Sequence, residues 1–184
     1  MDKGGESYRR YCGGADDALG EIIIEYRDGL IFYLNSFVKD IVTAEGLAED
    51  VFFKLAVKKP KFREKSSFKT WLYAIGRNEA FTYLKKQKNA EIPVCEFPEA
   101  TSEYGNPEAE YIKDERKAAL HRNISALKAE YRQVLWLYYF EEMSAEEISV
   151  IMKKSVHNIE TLLYRARGAL KEKLEKEGCT YENV

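Results

Sequence analysis

The sequence predicts an all-α protein made of two small helical domains that are joined by a flexible acidic linker. Apolar residues recur at helical spacing along most of the chain, and no run alternates between apolar and polar residues as a half-buried strand does. Charge divides the chain into three parts. Residues 1–90 have 16 Lys and Arg against 13 Asp and Glu, residues 91–115 have one Lys against eight acids, and residues 116–184 have 12 bases against 10 acids. Two mildly basic parts therefore flank a strongly acidic one.

Three helical patterns define the first domain, residues 1–89; they run over 15–39, 43–58 and 66–88. The second of these helices has two unlike faces. One face is an apolar stripe that consists of Leu47, Val51 and Leu55. Phe53 lies nearly opposite this stripe, beside the carboxylates of Glu49 and Asp50. An aromatic ring with acidic neighbours on a polar face is typical of a protein contact site, although packing of Phe53 against another helix of its own domain stays open.

A basic segment that contains aromatic residues precedes the third helix. Residues 58–69 carry six bases against one acid, and two phenylalanines lie among these charges. Aromatic and basic side chains also occur together along the third helix, at Tyr73, Arg77 and Tyr83. Cations that follow the phosphates and rings that receive unstacked bases are the usual means of holding single-stranded nucleic acid, while the alternative is an ordinary solvated face. In either case one stripe of this helix is expected to be core; it consists of Phe68, Trp71, Leu72 and Ile75.

The linker is predicted over residues 90–106. From Asn89 to Asn106 the chain has two prolines, four acids and no base, and it lacks a helical period. A structureless stretch of this length is uncommon inside a compact domain, so a linker is favoured over a surface loop. The helical pattern restarts at Asn106, a good N-cap residue, and Pro107 suits the first helical position.

The second domain is predicted over residues 107–177, with a short tail at 178–184 and helices over 107–128, 130–141, 145–152 and 156–176. Ser144 and Glu147 have the spacing of a capping box, which starts a short helix. The pattern breaks at Lys153 and Lys154, and Ser155 is placed to cap a second, longer helix. Two helices joined by so short a turn indicate a helix-turn-helix.

The faces of the longer helix point to DNA. Its core stripe is predicted to consist of Val156, Ile159, Leu163, Ala166 and Leu170. The side chains that then point outward are His157, Asn158, Thr161 and Arg165. Short hydrogen-bonding side chains suit base edges and an arginine suits a phosphate, although a solvated face would show a similar composition. Glu160 places a negative charge on the same side of the helix. This charge is consistent with a hydrogen bond from a cytosine amino group and equally with a helix that binds DNA weakly.

Together these segments resemble bacterial RNA polymerase sigma factors of the extracytoplasmic-function (ECF) group. The segment "AEGLAEDVFFKL" resembles the core-binding helix of this family. The segment "FREKSSFKTWLYAIGRNEAFTYL" resembles its melting and minus-10 segment. A third segment resembles the minus-35 helix-turn-helix; it is "LKAEYRQVLWLYYFEEMSAEEISVIMKKSVHNIETLLYRARGAL". The resemblance covers about residues 18–88 and 107–175, and the order and spacing of the segments make it specific.

The resemblance implies a role for each candidate site. Contact with the clamp helices of the polymerase largest subunit is implied for Glu49, Asp50 and Phe53. Minus-10 DNA contacts are implied for Lys61, Phe62, Arg63, Lys65, Ser66, Trp71, Arg77, Asn78 and Tyr83. Minus-35 DNA contacts are implied for Ser155, His157, Asn158, Thr161 and Arg165. Family members commonly have glycine near positions 64 and 65 and basic residues at 160 and 162, where this chain has Glu64, Lys65, Glu160 and Leu162.

The resemblance also implies the partners, which are core RNA polymerase with its clamp helices and flap, promoter DNA, and an anti-sigma factor. The chain has no apolar stretch long enough for membrane insertion and no C-x-x-C pair among its three cysteines. We therefore expect a cytoplasmic protein without a cofactor. A small enzyme has little support, because there are only two histidines and no metal-ligand spacing or phosphate loop. The main alternative is a stand-alone helix-turn-helix regulator that binds duplex DNA without polymerase.

Overall fold

The computed structural model describes residues 2–89, 120 and 122–176, and every regular element in these ranges is helical. The N-terminal half, residues 2–89, contains α1 (Lys3–Cys12), α2 (Asp17–Val38), α3 (Ile41–Lys58) and α4 (Phe68–Asn89). The C-terminal half, residues 122–176, contains α5 (Ala129–Leu135), a π-helical turn (Trp136–Phe140), α6 (Ala145–Met152) and α7 (Val156–Lys176). The predicted linker at 90–106, most of the predicted helix at 107–128 and the tail at 178–184 lie outside the described residues. No described helix is long and apolar enough to cross a membrane.

In the N-terminal half, α2, α3 and α4 pack around one apolar core. The reversal from α2 to α3 is tight because Lys39 adopts a left-handed backbone, with φ of 57°, and donates its N–H to the Asn35 carbonyl at 2.9 Å. Asp40 then caps α3, since its carboxylate accepts the Thr43 N–H at 2.9 Å. The largest fully buried side chains in this half include Tyr33, Leu34, Leu55 and Leu72.

The first helix, α1, is absent from the sequence prediction. Its two adjacent glycines, Gly4 and Gly5, are poor helix formers, and its buried side is made by Tyr8 and Tyr11 instead of an aliphatic stripe. Tertiary contact explains the glycines. A Cβ at Gly4 would lie 2.6 Å from Cδ1 of Phe68, so only glycine lets α1 approach α4 this closely.

The C-terminal half has the predicted helix-turn-helix. The capping box is confirmed: the Ser144 hydroxyl accepts the Glu147 N–H at 3.2 Å, and the Glu147 carboxylate accepts the Ser144 N–H at 3.1 Å. Ser155 caps α7 by accepting the Asn158 N–H at 3.3 Å. The helix predicted over 130–141 is interrupted, because its aromatic end forms the π-helical turn in which Trp136 and Phe140 stack at 4.2 Å between ring centroids.

The two halves pack against each other over one hydrophobic cluster that draws residues from both. The rings of Phe32 on α2 and Trp136 in the π-helical turn lie 5.4 Å apart, and α6 lies along α4. The sequence predicts nothing about this arrangement. It brings the helix-turn-helix directly onto the helix that carries the candidate minus-10 residues.

Candidate nucleic-acid interface

The outer face of α3 is apolar and acidic. Phe53 is 65% exposed and Val57 is 63% exposed, while Glu49 and Asp50 are exposed one turn earlier. The predicted buried stripe is confirmed and consists of Leu47, Val51 and Leu55. Packing against a helix of its own half therefore does not account for Phe53. A large exposed ring on an acidic face is suited to contact with another protein.

The loop between α3 and α4, residues 59–67, presents its positive charges to solvent. The exposed bases are Lys59, Lys61, Arg63 and Lys65. Glu64 has a left-handed backbone, with φ of 54°, which is the conformation that glycine adopts most readily. Its carboxylate pairs with the Arg9 guanidinium of α1 at 3.2 Å, so the one acid of the loop is turned towards α1.

An aromatic cluster lies beneath this loop. The ring of Phe62 is 5.1 Å from that of Trp71 and 5.6 Å from that of Phe68, and Tyr8 of α1 completes the group at 5.3 Å from Trp71. Phe68 is fully buried, whereas Phe62 and Trp71 are half-buried. Ser66, at the end of the loop, is half-buried as well. The loop therefore has basic side chains above an aromatic floor, the combination that holds unstacked bases.

One of the aromatic rings that the sequence pattern places among the nucleic-acid-binding side chains of α4 is buried in the core instead. Tyr73 has no exposed surface, and its ring lies 5.3 Å from that of Tyr33 on α2. Burial raises the pKa of its hydroxyl well above the usual range. The prediction that Tyr73 shares the nucleic-acid face is therefore wrong. The helix buries more than one stripe because α2 and the C-terminal half pack against different sides of it.

The remaining candidates lie in the second half of α4, with Arg77 and Asn78 adjacent and Tyr83 on another side of the helix. Arg77 is half-buried and its guanidinium lies over the ring of Phe81, 4.4 Å from the centroid. Asn78 is exposed, and Tyr83 is half-buried. The end of the helix adds three exposed bases, Lys85, Lys86 and Lys88.

The recognition-length helix α7 has its polar face in solvent. The side chains that the sequence places outward are confirmed there: His157, Asn158 and Arg165 are exposed, and Thr161 is partly exposed. Ile159, Leu163 and Ala166 are buried as predicted, whereas Val156 and Leu170 are only half-buried. Glu160 is exposed on the outward side, and Leu162 packs against the core.

Sequence reasoning missed Tyr164, which is 79% exposed on α7. It lies one turn beyond Glu160 and next to Arg165. Its solvent-facing position follows from the helical period of the predicted helix 156–176, which is the signal that could have revealed it. Arg167 was missed as well; its guanidinium lies over the ring of Tyr138, 5.1 Å from the centroid.

Polar contacts join the helix-turn-helix to α4. One carboxylate oxygen of Glu147 accepts hydrogen bonds from the hydroxyls of Ser67, at 2.9 Å, and Thr70, at 3.0 Å. At the turn, the ammonium of Lys153 donates to the side-chain oxygen of Asn78 at 3.1 Å. Burial favours the neutral form of Glu147, but hydrogen bonds from the Ser144 N–H and from the two hydroxyls hold the pKa of its carboxyl below the ordinary value.

A second contact between the halves centres on Glu141, which follows the π-helical turn. Its carboxylate pairs with the ammonium of Lys69 on α4 at 2.8 Å and accepts the indole N–H of Trp136 at 3.2 Å. A Cβ at Gly29 on α2 would lie 2.5 Å from this carboxylate, so the glycine makes room for it. Glu141 is thus a charged side chain inserted between two helices of the other half.

Family profiles match both halves. A profile described as "Sigma-70 region 2" matches residues 22–90, and one described as "Sigma-70, region 4" matches residues 117–170.

In the parts of the chain that the structure describes, no group of three or more metal-ligating side chains occurs.

Curated relatives match along most of the chain. The RNA polymerase sigma-H factor of Pseudomonas aeruginosa is 29% identical over 171 residues, which is 88% of this chain and 89% of that protein. The RNA polymerase sigma factor YlaC of Bacillus subtilis is 28% identical, over 87% of this chain and 94% of its own length. The ECF RNA polymerase sigma factor SigW of Bacillus subtilis is 27% identical, over 88% of this chain and 91% of its own length.

Solved structures share the fold. CnrH, in complex with the cytosolic domain of CnrY, superposes with a TM-score of 0.67 at 19% identity, covering 95% of this chain and 97% of that one. The sigma factor RpoE of Bartonella quintana, in complex with the anti-sigma factor NepR, superposes with a TM-score of 0.64 at 19% identity, covering 86% of this chain and 98% of that one.

The helical fold and the matched regions 2 and 4 define a transcription initiation factor, and the chain belongs to the sigma-70 family. Within that family it is an RNA polymerase sigma factor of the ECF group. It binds core RNA polymerase, directs it to promoters and promotes opening of the DNA, and like other sigma factors it is not an enzyme. It acts inside the cell, where RNA polymerase is. The match of both sigma regions disfavours a stand-alone regulator.

Proposed function

We propose that the exposed face of α3, with Glu49, Asp50 and Phe53, is the contact with the clamp helices of the polymerase largest subunit. Phe53 carries this assignment, because a ring that is 65% exposed on a helix whose other side is fully core has no structural role in its own half. Aromatic anchors that become buried at the centre of a contact commonly dominate the affinity of a protein interface.

The minus-10 DNA is assigned to the loop and to residues of α4. The loop bases Lys61, Arg63 and Lys65 bind the backbone of the opened strand. Ser66, Phe62 and Trp71 line the place that receives a flipped base, and Arg77, Asn78 and Tyr83 face the upstream duplex edge. The basic loop above half-buried rings supports this assignment.

Opening of the duplex then needs no catalytic group. Extruding a base costs a few kcal/mol, and its capture in a pocket offsets that cost. Stacking on an aromatic ring contributes on the order of 1–3 kcal/mol per base, so a single captured base is enough to balance the loss of its stacking in the duplex. Melting is in this way driven by binding.

The minus-35 element is assigned to the outward face of α7. His157, Asn158 and Thr161 lie near its N-terminal end, where a recognition helix contacts base edges, and Arg165 and the capping residue Ser155 are suited to phosphates. The exposure of this face supports the assignment. The polymerase flap is the expected partner of the same domain.

The proposed domain boundaries are 1–89 and 107–177, with the acidic linker at 90–106 and a tail at 178–184. The matched regions, 22–90 and 117–170, leave the acidic segment between them unmatched, which supports this division. Limited proteolysis of the complex with core polymerase should cut within 90–106 and yield two resistant fragments.

An anti-sigma factor is a further proposed partner, and the cytoplasm is the proposed compartment. Two proteins of similar fold are found in complexes: CnrH with the cytosolic domain of CnrY, and the sigma factor RpoE with the anti-sigma factor NepR. Such a partner would cover the Phe53 face or the DNA surfaces of this chain. Affinity purification of the tagged protein from its own cells, followed by competition with core polymerase, tests for it.

The experiment that tests the assignments is run-off transcription of fragmented genomic DNA by core polymerase, with and without the protein, followed by sequencing of the transcripts. New start sites that share two spaced boxes are expected. Their loss with Phe53→Ala would support the polymerase contact. No new start sites despite binding to core would contradict the assignment of the DNA surfaces.

A further inference from the structure

We propose that α1 is part of the promoter-melting apparatus and that Tyr8 and Arg9 are positioning residues for the loop at 59–67. The inference rests on the proposed role of that loop in capturing a base. The helix lies outside the matched region 2, which begins at residue 22, so the family comparison gives α1 no role. The contacts of α1 instead involve residues at both ends and at the apex of the loop at 59–67.

At the start of the loop, two tyrosine hydroxyls of α1 hold the backbone. Tyr8 donates to the carbonyl of Pro60 at 2.7 Å, and Tyr11 donates to the carbonyl of Ala56 at 3.0 Å. The ammonium of Lys59 also lies over the Tyr11 ring, 4.4 Å from the centroid. Tyr8 is only 2% exposed, and its ring packs against Trp71, so it joins the loop backbone to the aromatic floor.

At the end of the loop, one carboxylate joins two helices. Asp2 caps its own helix by accepting the Gly5 N–H at 3.3 Å, and its other oxygen accepts the N–H of Phe68, the first residue of α4. Because a helix N-terminus leaves its first N–H groups without partners, this contact fixes where α4 begins.

At the apex, Arg9 pairs with Glu64 at 3.2 Å, with both side chains more than half exposed. An exposed pair adds little to stability. The pair does fix the orientation of the Glu64 side chain, whose residue has a left-handed backbone. Without Arg9 the carboxylate would be free to turn towards the phosphates that the loop bases Lys61, Arg63 and Lys65 bind. The pair therefore keeps the one negative charge of the loop away from the DNA.

The test uses the full-length protein with core polymerase and fork-junction DNA of a promoter found by the transcription experiment. Each base of the single-stranded minus-10 segment is replaced in turn by an abasic site. A wild-type holoenzyme that captures one base should bind that abasic probe roughly tenfold more weakly, as the loss of one stacked base predicts. The variants are Tyr8→Phe, which keeps the ring and removes the hydroxyl, Arg9→Glu, and the swap Arg9→Glu with Glu64→Arg. Lys3→Glu is the control, because Lys3 is exposed on the same helix and the charge change is equal.

Tyr8→Phe and Arg9→Glu are expected to reduce the abasic penalty at least threefold, with unchanged affinity for core polymerase. The swap should restore the penalty, and Lys3→Glu should keep it. A full penalty in both single variants would overturn the role of α1 while leaving the loop assignment intact. Equal binding of every abasic probe by the wild type would overturn the loop assignment, and with it the role of α1.

Discussion

The guanidinium of Arg132 on α5 donates two hydrogen bonds to the main-chain carbonyl of Ser36 near the C-terminal end of α2, at 3.0 Å from Nε and 2.6 Å from Nη2. A third bond joins Nη1 to the carbonyl of Leu127 at 2.6 Å. Arg132 is only 5% exposed, and burial lowers the pKa of its guanidinium. A carbonyl in the last turn of a helix has no partner within that helix, so a residue of one half completes a helix of the other.

Replacing Arg132 should therefore destabilise the whole protein. Arg132→Met keeps much of the side-chain length but leaves the Ser36 and Leu127 carbonyls without donors, and each buried group left unpaired costs about 1–3 kcal/mol. We expect the free energy of unfolding to fall by about 2–4 kcal/mol in urea denaturation. Arg122→Met, at an exposed arginine, should change it by less than about 0.5 kcal/mol. Equal stability of the two variants would mean that the halves do not depend on this contact.

Phe53→Ala should weaken binding to core polymerase without changing stability. Truncating a central aromatic anchor commonly costs 2 kcal/mol or more, which is at least about a 30-fold loss of affinity. Ile24→Ala is the control, because Ile24 is 87% exposed on α2 and is outside the proposed contact. Affinity is measured by titrating labelled protein with core polymerase, and thermal melting checks the fold. A loss of affinity in both variants alike would contradict a specific role of Phe53.

The features that local sequence determines were predictable. The capping box of Ser144 and Glu147 and the cap at Ser155 depend on spacings of three residues, and both are found as predicted. The buried stripe and the exposed Phe53 of α3 follow from the helical period alone. For the same reason the outward positions of His157, Asn158 and Arg165 could be read from the sequence.

The features that depend on distant contacts were not predictable. Gly4 and Gly5 argue against a helix until the approach of Phe68 is known. Tyr73 lies beside the predicted core stripe of α4, and its burial depends on the packing of helices on two sides. The packing of the two halves joins residues 75 to 80 positions apart, such as Lys153 with Asn78 and Glu147 with Ser67, for which no local pattern exists.

Reversing the charge at Glu160 should strengthen minus-35 binding. The side chain is exposed on the outward face of α7, so in the complex a carboxylate there repels the phosphates. Glu160→Lys adds one phosphate contact, which should raise affinity for a minus-35 duplex and steepen its salt dependence by about one unit in the logarithmic plot. Glu172→Lys is the control, since Glu172 is exposed far along the same helix. Unchanged affinity and slope would show that position 160 does not meet the DNA.

Glu147 should make the contact between the halves sensitive to acid. Its carboxyl has a pKa below the ordinary value of 4.5, so the folded state favours the charged form. Stability from this group is fully present above the unfolded pKa and is lost as the pH falls through the lower, folded pKa. Glu147→Gln, which keeps a hydrogen-bonding side chain but not the charge, should lower the free energy of unfolding by about 1 kcal/mol at pH 7, and by progressively less below about pH 4. Urea denaturation of both proteins between pH 7 and pH 3.5 measures this difference, with Glu146→Gln, exposed in the same helical turn, as the control. A difference that stays constant over this range would mean that the charge of Glu147 contributes neither to its bond with the Ser144 N–H nor to its contact with Ser67 and Thr70.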